Sequence, residues 1–398
     1  MPSSIISHRA NNVQPSPTLA MDAKAKKMQA AGGDIINLGV GEPDFDTPSH
    51  IKDAAIQALH NGKTKYTPVQ GIIELRQAIS DKFARENQLN YRPEQVIVSN
   101  GAKQSFFNLV QAVINAFDEV IIPCPYWVSY PDIVRLAEGT PVFIEAGAKQ
   151  HFKITPTQLE LAITPKTKMI VLNSPSNPSG MVYSKEELTE LAEVLLCHPN
   201  ILIASDDMYE HILWTHYPFC NIVNVCPELQ DRTVVINGLS KAYAMTGWRI
   251  GYAAGAQAIV DAMIKIQSQS TSNPNSVAQY AGVEALNGDQ RCITEMVKIF
   301  KTRHDRVYNA LQKMPRVTCL PSQGTFYSFP DISRALPYID GGLSDDVQLA
   351  DYLLTKAGVA VVPGTAFGSP GCIRLSFATS NEKLDDAMDR LAIVFGAA

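Results

Sequence analysis

The chain has 398 residues, 45% of them apolar, and a formal charge of -5; this is enough apolar material for more than one core, and the even charge excludes a nucleic-acid footprint or an acidic tail. Its seven cysteines are odd in number and show no CxxC spacing, which argues against a disulfide framework and a structural zinc site. No run approaches the roughly 18 apolar residues of a membrane helix, and the start, "MPSSIISHRANN", has no basic stretch followed by an apolar one, so a cytoplasmic protein acting on small neutral or anionic partners is expected, with neither nucleic acid nor membrane as partner.

In chain order, the first fifty residues are rich in proline and glycine around "LGVGEPDFDTP" and are expected to pack with a second, smaller domain. Short β-branched runs then recur: "QVIVS" from Gln95, "DEVIIP" from Asp118, "TPVFIEA" from Thr140, "KMIVLN" from Lys168, "NILIAS" from Asn200, "RTVVIN" from Arg232 and "RIGYAA" from Arg249. Several are apolar at successive positions, as strands covered on both faces are. Helical patterns lie between them. "SKEELTELAEVLL" opens with Ser184 as N-cap and Glu187 three residues later, the signature of a capping box. Strand and helix in alternation predict a mostly parallel sheet with helices on both sides. Ile293, Met296, Val297, Phe300, Val307, Leu311 and Met314 then fall on one stripe, predicting a long helix that leads out of the sheet. After it, "TFYSFPDI" and "CIRLSFA" read as strands of the smaller α+β domain.

Ligands of open parallel sheets bind outside the carboxyl ends of the strands, and four runs end there in polar groups. "VIVS" leads into Asn100, Gly101, Ala102 and Lys103 at a helix start; "MIVL" into Asn173 and "SPSNPSG"; "ILIAS" into Asp206, with Tyr209 three residues on; "VVIN" into Gly238, Ser240 and Lys241. Small residues at a helix start suit a phosphate, or simply an ordinary capped helix. Arg249, eight residues beyond Lys241, reads as a second phosphate ligand or as a surface arginine. A lysine at a strand end is a solvated side chain or an imine-forming amine. An amine, a carboxylate and an anion cradle in one crevice are together what pyridoxal phosphate requires.

The chain resembles the fold-type I, class I pyridoxal-phosphate aminotransferases, nearest to the bacterial aspartate and aspartate/prephenate branch. The likeness runs through "PSPTLAMDAKAK", "LGVGEPDFDTP", "TKYTPVQGIIELRQAI", "NGAKQSFFN", "PYWVSYP", "NSPSNPSG", "SDDMYEH", "SKAYAMTGWRIGY", "VVPGTAFG" and "IRLSFATS", in order and over nearly the whole sequence. It implies an α/β fold: a three-layer, mostly parallel sheet in a large domain over residues 50–290, a small α+β domain over 291–398, and an N-terminal segment over 1–49 that packs with the small domain. It further implies that Lys241 forms the imine with pyridoxal 5'-phosphate and then carries the proton between substrate Cα and cofactor C4'. Asp206 would face the pyridine nitrogen, Asn177 and Tyr209 would donate to the ring's phenolate oxygen, and Trp127 would lie against the ring face. Phosphate contacts would come from the backbone at Ala102 and Lys103, from Arg249, and from Tyr66 reaching across a homodimer interface. The substrate α-carboxylate would pair with Arg374, assisted by the backbone of Gly41, with Asn177 and Trp127 beside it. Lys103 and Thr18 would hold the distal carboxylate of aspartate or glutamate.

Two positions depart from that pattern. Gly238 stands where many relatives carry a serine, with Ser240 as an alternative phosphate ligand. Asp207 stands where glutamate is more common, so Asp206, spaced Asp-x-x-Tyr from Tyr209, takes the cofactor role and Asp207 a structural one. The expected reaction is transamination of L-aspartate with 2-oxoglutarate, with prephenate as a further substrate and no metal. An aromatic aminotransferase or a C–S lyase of the same fold is the alternative. A regulatory module would need a basic N-terminal helix-turn-helix, and a nicotinamide-dependent dehydrogenase would need G-x-G-x-x-G after a strand; the chain has neither.

Overall fold

The structure is a computed structural model that describes residues 5–396. A short strand, β1 (Ile36–Asn37), precedes a central sheet of seven: β2 (Val96–Asn100), β3 (Glu119–Cys124), β4 (Thr140–Glu145), β5 (Thr167–Asn173), β6 (Leu202–Asp206), β7 (Thr233–Gly238) and β8 (Ile250–Ala254). Their order is β2-β8-β7-β6-β5-β3-β4. All run parallel except β8, which is antiparallel to both of its neighbours, β2 and β7. Side chains alternate between two cores, as the two-residue period of a strand requires. Ile170 and Leu172 of β5 join Ile121, Ile203 and Val235 on one face, while Met169 and Val171 join Val120, Ala204 and Ile236 on the other. β6 and β7 are buried at every position, which is why their runs carry no polar alternation.

The helix Lys185–Cys197 starts as its sequence predicts: the Glu187 N–H donates to Ser184 Oγ at 3.2 Å and the Ser184 N–H to Glu187 Oε2 at 2.7 Å. The long helix Arg291–Leu311 buries Ile293, Met296, Phe300, Val307 and Leu311, and Met314 is buried just past its end. Val297 is only partly buried, against the sheet core. The stripe also takes in Arg303, whose guanidinium meets Asp44 through two hydrogen bonds of 2.7 and 2.8 Å; a polar residue enters the buried face because a carboxylate from the N-terminal segment waits there.

A separate core gathers Phe300, Leu311, Phe326, Leu349, Leu384 and Leu391 together with Ile36 and Leu38. Around it lie β9 (Tyr327–Ser328), β10 (Val359–Ala360), β11 (Val362–Pro363) and β12 (Ile373–Ser376). β1 pairs in parallel with β10, and β11, β12 and β9 form an antiparallel sheet in that order. "TFYSFPDI" is strand for two residues only, since Thr325 is left-handed at φ 66° and Pro330 has no N–H to donate. Among the described residues no helix is long and apolar enough to cross a membrane.

Candidate active site

The carboxyl ends of β2, β5, β6 and β7 bring Asn100, Asn173, Asp206 and Gly238 to one edge of the sheet. Because β8 runs the opposite way, pairing Gly251 with Gly238, Arg249 just ahead of it reaches that same edge. A parallel β8 would have carried it to the far side. A cavity of about 360 Å3 opens here, lined by Thr18, Gly41, Ala102, Lys103, Trp127, Asn177, Asp206, Tyr209, Lys241, Arg249 and Arg374. Of the residues to which the resemblance gives a cofactor or substrate contact, Tyr66 alone is not among them: it is 93% exposed on this chain.

One end of the cavity is built for an anion. The helix Ala102–Val113 starts at Gly101 with no side-chain cap, so its first N–H groups and the positive end of its dipole are open to a ligand. Gly101 has φ 83°, and a Cβ there would lie 2.2 Å from Arg249 Nη2; a Cβ on Gly251 would fall 2.0 Å from the Ala102 nitrogen. These two glycines let β8 and the helix start close together, which sets the Arg249 guanidinium beside the free N–H groups. Arg249 donates to the carbonyls of Thr246 at 2.9 Å and Asn100 at 3.2 Å, and burial holds its pKa below the usual guanidinium value. Gly238 lies against the same strand: a Cβ there would be 3.0 Å from Gly251 Cα and 3.1 Å from Met208 Cε, so any side chain at this position would crowd β8 and Met208. Ser240 lines the cavity.

Lys241 donates to the Gly41 carbonyl. Burial and the Arg374 guanidinium lower its pKa to about 8, with Arg249 and Lys103 acting the same way and Glu42 opposing them. The ammonium is therefore easily deprotonated, and competitive acylation of the apo protein should give Lys241 an inflection near 8. Removing Arg374 should move it upward; an inflection at the ordinary lysine value would show the amine to be solvated.

Asp206 is buried at the end of β6. Its Oδ2 accepts the Tyr130 hydroxyl at 2.5 Å and its Oδ1 the Met208 N–H at 3.2 Å. Burial raises its carboxyl pKa, and these two donors offset part of the rise. Asp207 turns elsewhere, accepting from Ser205 at 2.8 Å and Asn221 at 2.6 Å, with its pKa pushed up to about 8 by burial and by Glu210.

Arg374 on β12 is 2% exposed. It donates to Asn177 Oδ1 at 2.9 Å and to the Gly39 carbonyl at 2.8 Å, and its guanidinium lies 4.3 Å from the centre of the Tyr327 ring. Its Nε has no partner among the described residues, and the groups that favour its charge are two tyrosines, Tyr327 and Tyr209, not a carboxylate. A buried guanidinium without a carboxylate calls for one from outside. Lys103 stands 5.1 Å from the centre of the Trp127 ring, its pKa lowered by burial and by Arg249. Four cationic side chains, Lys103, Lys241, Arg249 and Arg374, thus line a cavity with two carboxylates, Asp206 and Glu42.

A model of the family "Aminotransferase class I and II" matches residues 33–391. The chain belongs to this family. It is similar to the aspartate/prephenate aminotransferase of Nitrosomonas europaea, 58% identical over 97% of this chain and 98% of that one. It is also similar to the aspartate aminotransferase of Bacillus subtilis, 47% identical over 97% and 98%. Among solved structures, the aspartate aminotransferase of Rhizobium meliloti matches with a TM-score of 0.95 at 45% identity, over 98% of both chains. That of Thermus thermophilus with maleate matches with a TM-score of 0.91 at 43% identity, over 98% of this chain and 99% of that one. The aminotransferase is an enzyme of the fold-type I α/β architecture, as its motifs implied.

Sequence reasoning passed over two residues of this aminotransferase's cavity, Tyr130 and Tyr327, and gave a third, Asn173, no role of its own. Tyr130 holds Asp206. Tyr327 bonds the Tyr209 hydroxyl at 2.9 Å and stacks under Arg374. Asn173 donates from Nδ2 to the Asp206 carbonyl at 3.0 Å and accepts the Asn177 N–H at 2.9 Å, tying two cavity residues to the end of β5. Asn173 was signalled by its place at a strand end; the tyrosines carried no comparable signal, since each meets its partner only in the fold.

Proposed function

We propose that this aminotransferase binds pyridoxal 5'-phosphate at Lys241 and transfers the amino group of L-aspartate to 2-oxoglutarate, giving oxaloacetate and L-glutamate, with prephenate as a further substrate. The observation that carries the reading is the buried Arg374 guanidinium, with no carboxylate partner among the described residues, in one cavity with the desolvated Lys241 amine. The donor set fits the cofactor: an uncapped helix start with Arg249 for a phosphate, a buried carboxylate for a pyridinium nitrogen, and an amine for an aldehyde carbon. Once bound, the cofactor supplies an electron sink for the carbanion left at the substrate Cα.

The chain's own residues do the rest. Lys241, with a pKa of about 8, is poised to take and return the Cα proton near neutral pH, where a proton carrier works best. Arg374 grips the α-carboxylate in two-pronged fashion. Because Asn177 Oδ1 is engaged by Arg374, its Nδ2 is left for the ring's phenolate oxygen, beside the Tyr209 hydroxyl. Trp127 excludes water from one ring face. Lys103 and Thr18 receive the distal carboxylate. The names of the relatives support aspartate, and the maleate in the Thermus thermophilus neighbour, itself a dicarboxylate, supports two cationic subsites. The exposure of Tyr66 supports a homodimer in which it completes the partner's phosphate site, and the free cysteines, seven in all, support a cytoplasmic setting.

Purified protein given the cofactor should turn yellow, carry the cofactor's mass on Lys241 after borohydride reduction, and form oxaloacetate from aspartate beyond one equivalent per site only when 2-oxoglutarate is present. Ammonia released without an acceptor acid would point instead to a lyase. Substituting Lys103→Ala should lower kcat/KM for aspartate by about 10- to 100-fold, the scale of one charge-assisted hydrogen bond, and leave alanine nearly untouched. Equal losses for both amino acids would remove Lys103 from the distal subsite.

A further inference from the structure

Tyr130 has no part in the reading above, yet its geometry is tightly determined. It opens the helix Tyr130–Leu136, and its N–H donates to the Trp127 carbonyl at 3.0 Å. Its ring is 1% exposed, held between Phe106, 4.8 Å away between centroids, and the edge-on indole of Trp127 at 5.2 Å. Two aromatic walls leave the hydroxyl one direction, and it ends 2.5 Å from Asp206 Oδ2.

The surroundings of Asp206 offer nothing equivalent. The Tyr209 hydroxyl pairs with that of Tyr327 at 2.9 Å, not with the Asp206 carboxylate. Asp207 is turned to Ser205 and Asn221. Asn173 on β5 reaches only the main-chain carbonyl of Asp206. Among the described residues, Tyr130 is the one side chain that donates to the Asp206 carboxylate. A carboxylate in a dry site keeps its charge only as far as donors replace the water it has lost, and a phenol favours the anionic form because a charged acceptor makes the stronger bond.

We propose that Tyr130 is a positioning residue for Asp206: its hydroxyl occupies one carboxylate oxygen, fixes the plane of the group and keeps it anionic, so that the remaining lone pairs meet the pyridine nitrogen of the cofactor. The proposal rests on the reading of Asp206 as that nitrogen's partner. It also gives the turn from Trp127 to Tyr130 two tasks, one residue facing the ring and the other holding the acid at its edge.

The test uses the holoenzyme loaded with cofactor labelled with 15N in the ring. The wild type should show a protonated ring nitrogen at neutral pH. In Tyr130→Phe, which keeps the aromatic packing, the nitrogen signal should shift towards the unprotonated position and the cofactor Kd should rise by about tenfold or more, as loss of a hydrogen bond to a charged group does. In an Asp206→Asn background the same substitution should change neither quantity, because Tyr130 acts through the carboxylate. An unchanged nitrogen signal and Kd in Tyr130→Phe would overturn the proposal and leave the cofactor reading intact. An equal rise in Kd with and without Asp206 would overturn it too, by showing that Tyr130 serves packing alone. A wild-type holoenzyme with an unprotonated ring nitrogen would overturn the reading of Asp206, and the proposal with it.

Discussion

Lys241→Ala is expected to yield a folded protein whose turnover of aspartate is lower by about 10,000-fold, the upper end of what a positioned proton carrier contributes. Among the described residues, no other cavity amine can replace it: Lys103 stands over the Trp127 ring, and the guanidinium groups of Arg249 and Arg374 do not give up a proton at working pH. Folding should be spared, because removing a desolvated ammonium flanked by Arg374, Arg249 and Lys103 relieves repulsion in the apo protein. The sign follows from linkage. A lysine whose pKa is depressed on folding makes the folded state less stable while the group is charged, and the loss fades as pH rises from about 8 towards the unfolded value near 10.4. The apo variant should therefore match or exceed the wild-type Tm at pH 7, with the gap closing at higher pH. Steady-state rates together with thermal unfolding at several pH values check both parts; activity within tenfold of wild type would end the case for Lys241.

Arg374→Lys is expected to cost about 100-fold or more in kcat/KM for every amino acid tested. Truncating one partner of a buried, hydrogen-bonded charge pair typically costs about 2–5 kcal/mol, and an ammonium cannot reproduce the two parallel bonds that a guanidinium makes to a carboxylate. The geometry is specific: the guanidinium is clamped by Asn177 and Gly39 and backed by the Tyr327 ring, so a shorter, rotatable head group would lie off the substrate's axis. In contrast to Lys103→Ala, the loss should be uniform across aspartate, alanine and tyrosine, since all carry the α-carboxylate. Arg374→Met should be as inactive but at least as thermally stable without ligand, because an unneutralised buried charge gives way to an apolar side chain. A selective loss confined to aspartate would mean that Arg374 binds the distal carboxylate instead. Comparing the two substitution series separates the subsites.

The strands were legible because a doubly covered strand leaves a local record, a β-branched run with polar residues at its carboxyl end, and β5, β6 and β7 deliver Asn173, Asp206 and Gly238 as their sequences foretold. The capping box at Ser184 was equally local. "TFYSFPDI" was over-read because alternation persists where backbone pairing stops. The direction of β8 left no mark in the sequence either: "RIGYAA" has the same composition whether it runs parallel or antiparallel, although only the antiparallel course brings Arg249 beside Gly101.

By itself the sequence determined the family, the strands and nearly all the groups that meet in the cavity, since these depend on residue type at short spacing. Only the tertiary structure decided how those groups are charged and held. Tyr130 and Asp206 are 76 residues apart, Tyr209 and Tyr327 118, and Asn177 and Arg374 197. Their contacts, the burial of Arg374 without a carboxylate and the lowered pKa of Lys241 arise from desolvation and from Coulomb forces acting over a few ångströms, quantities that exist only once distant segments have packed together.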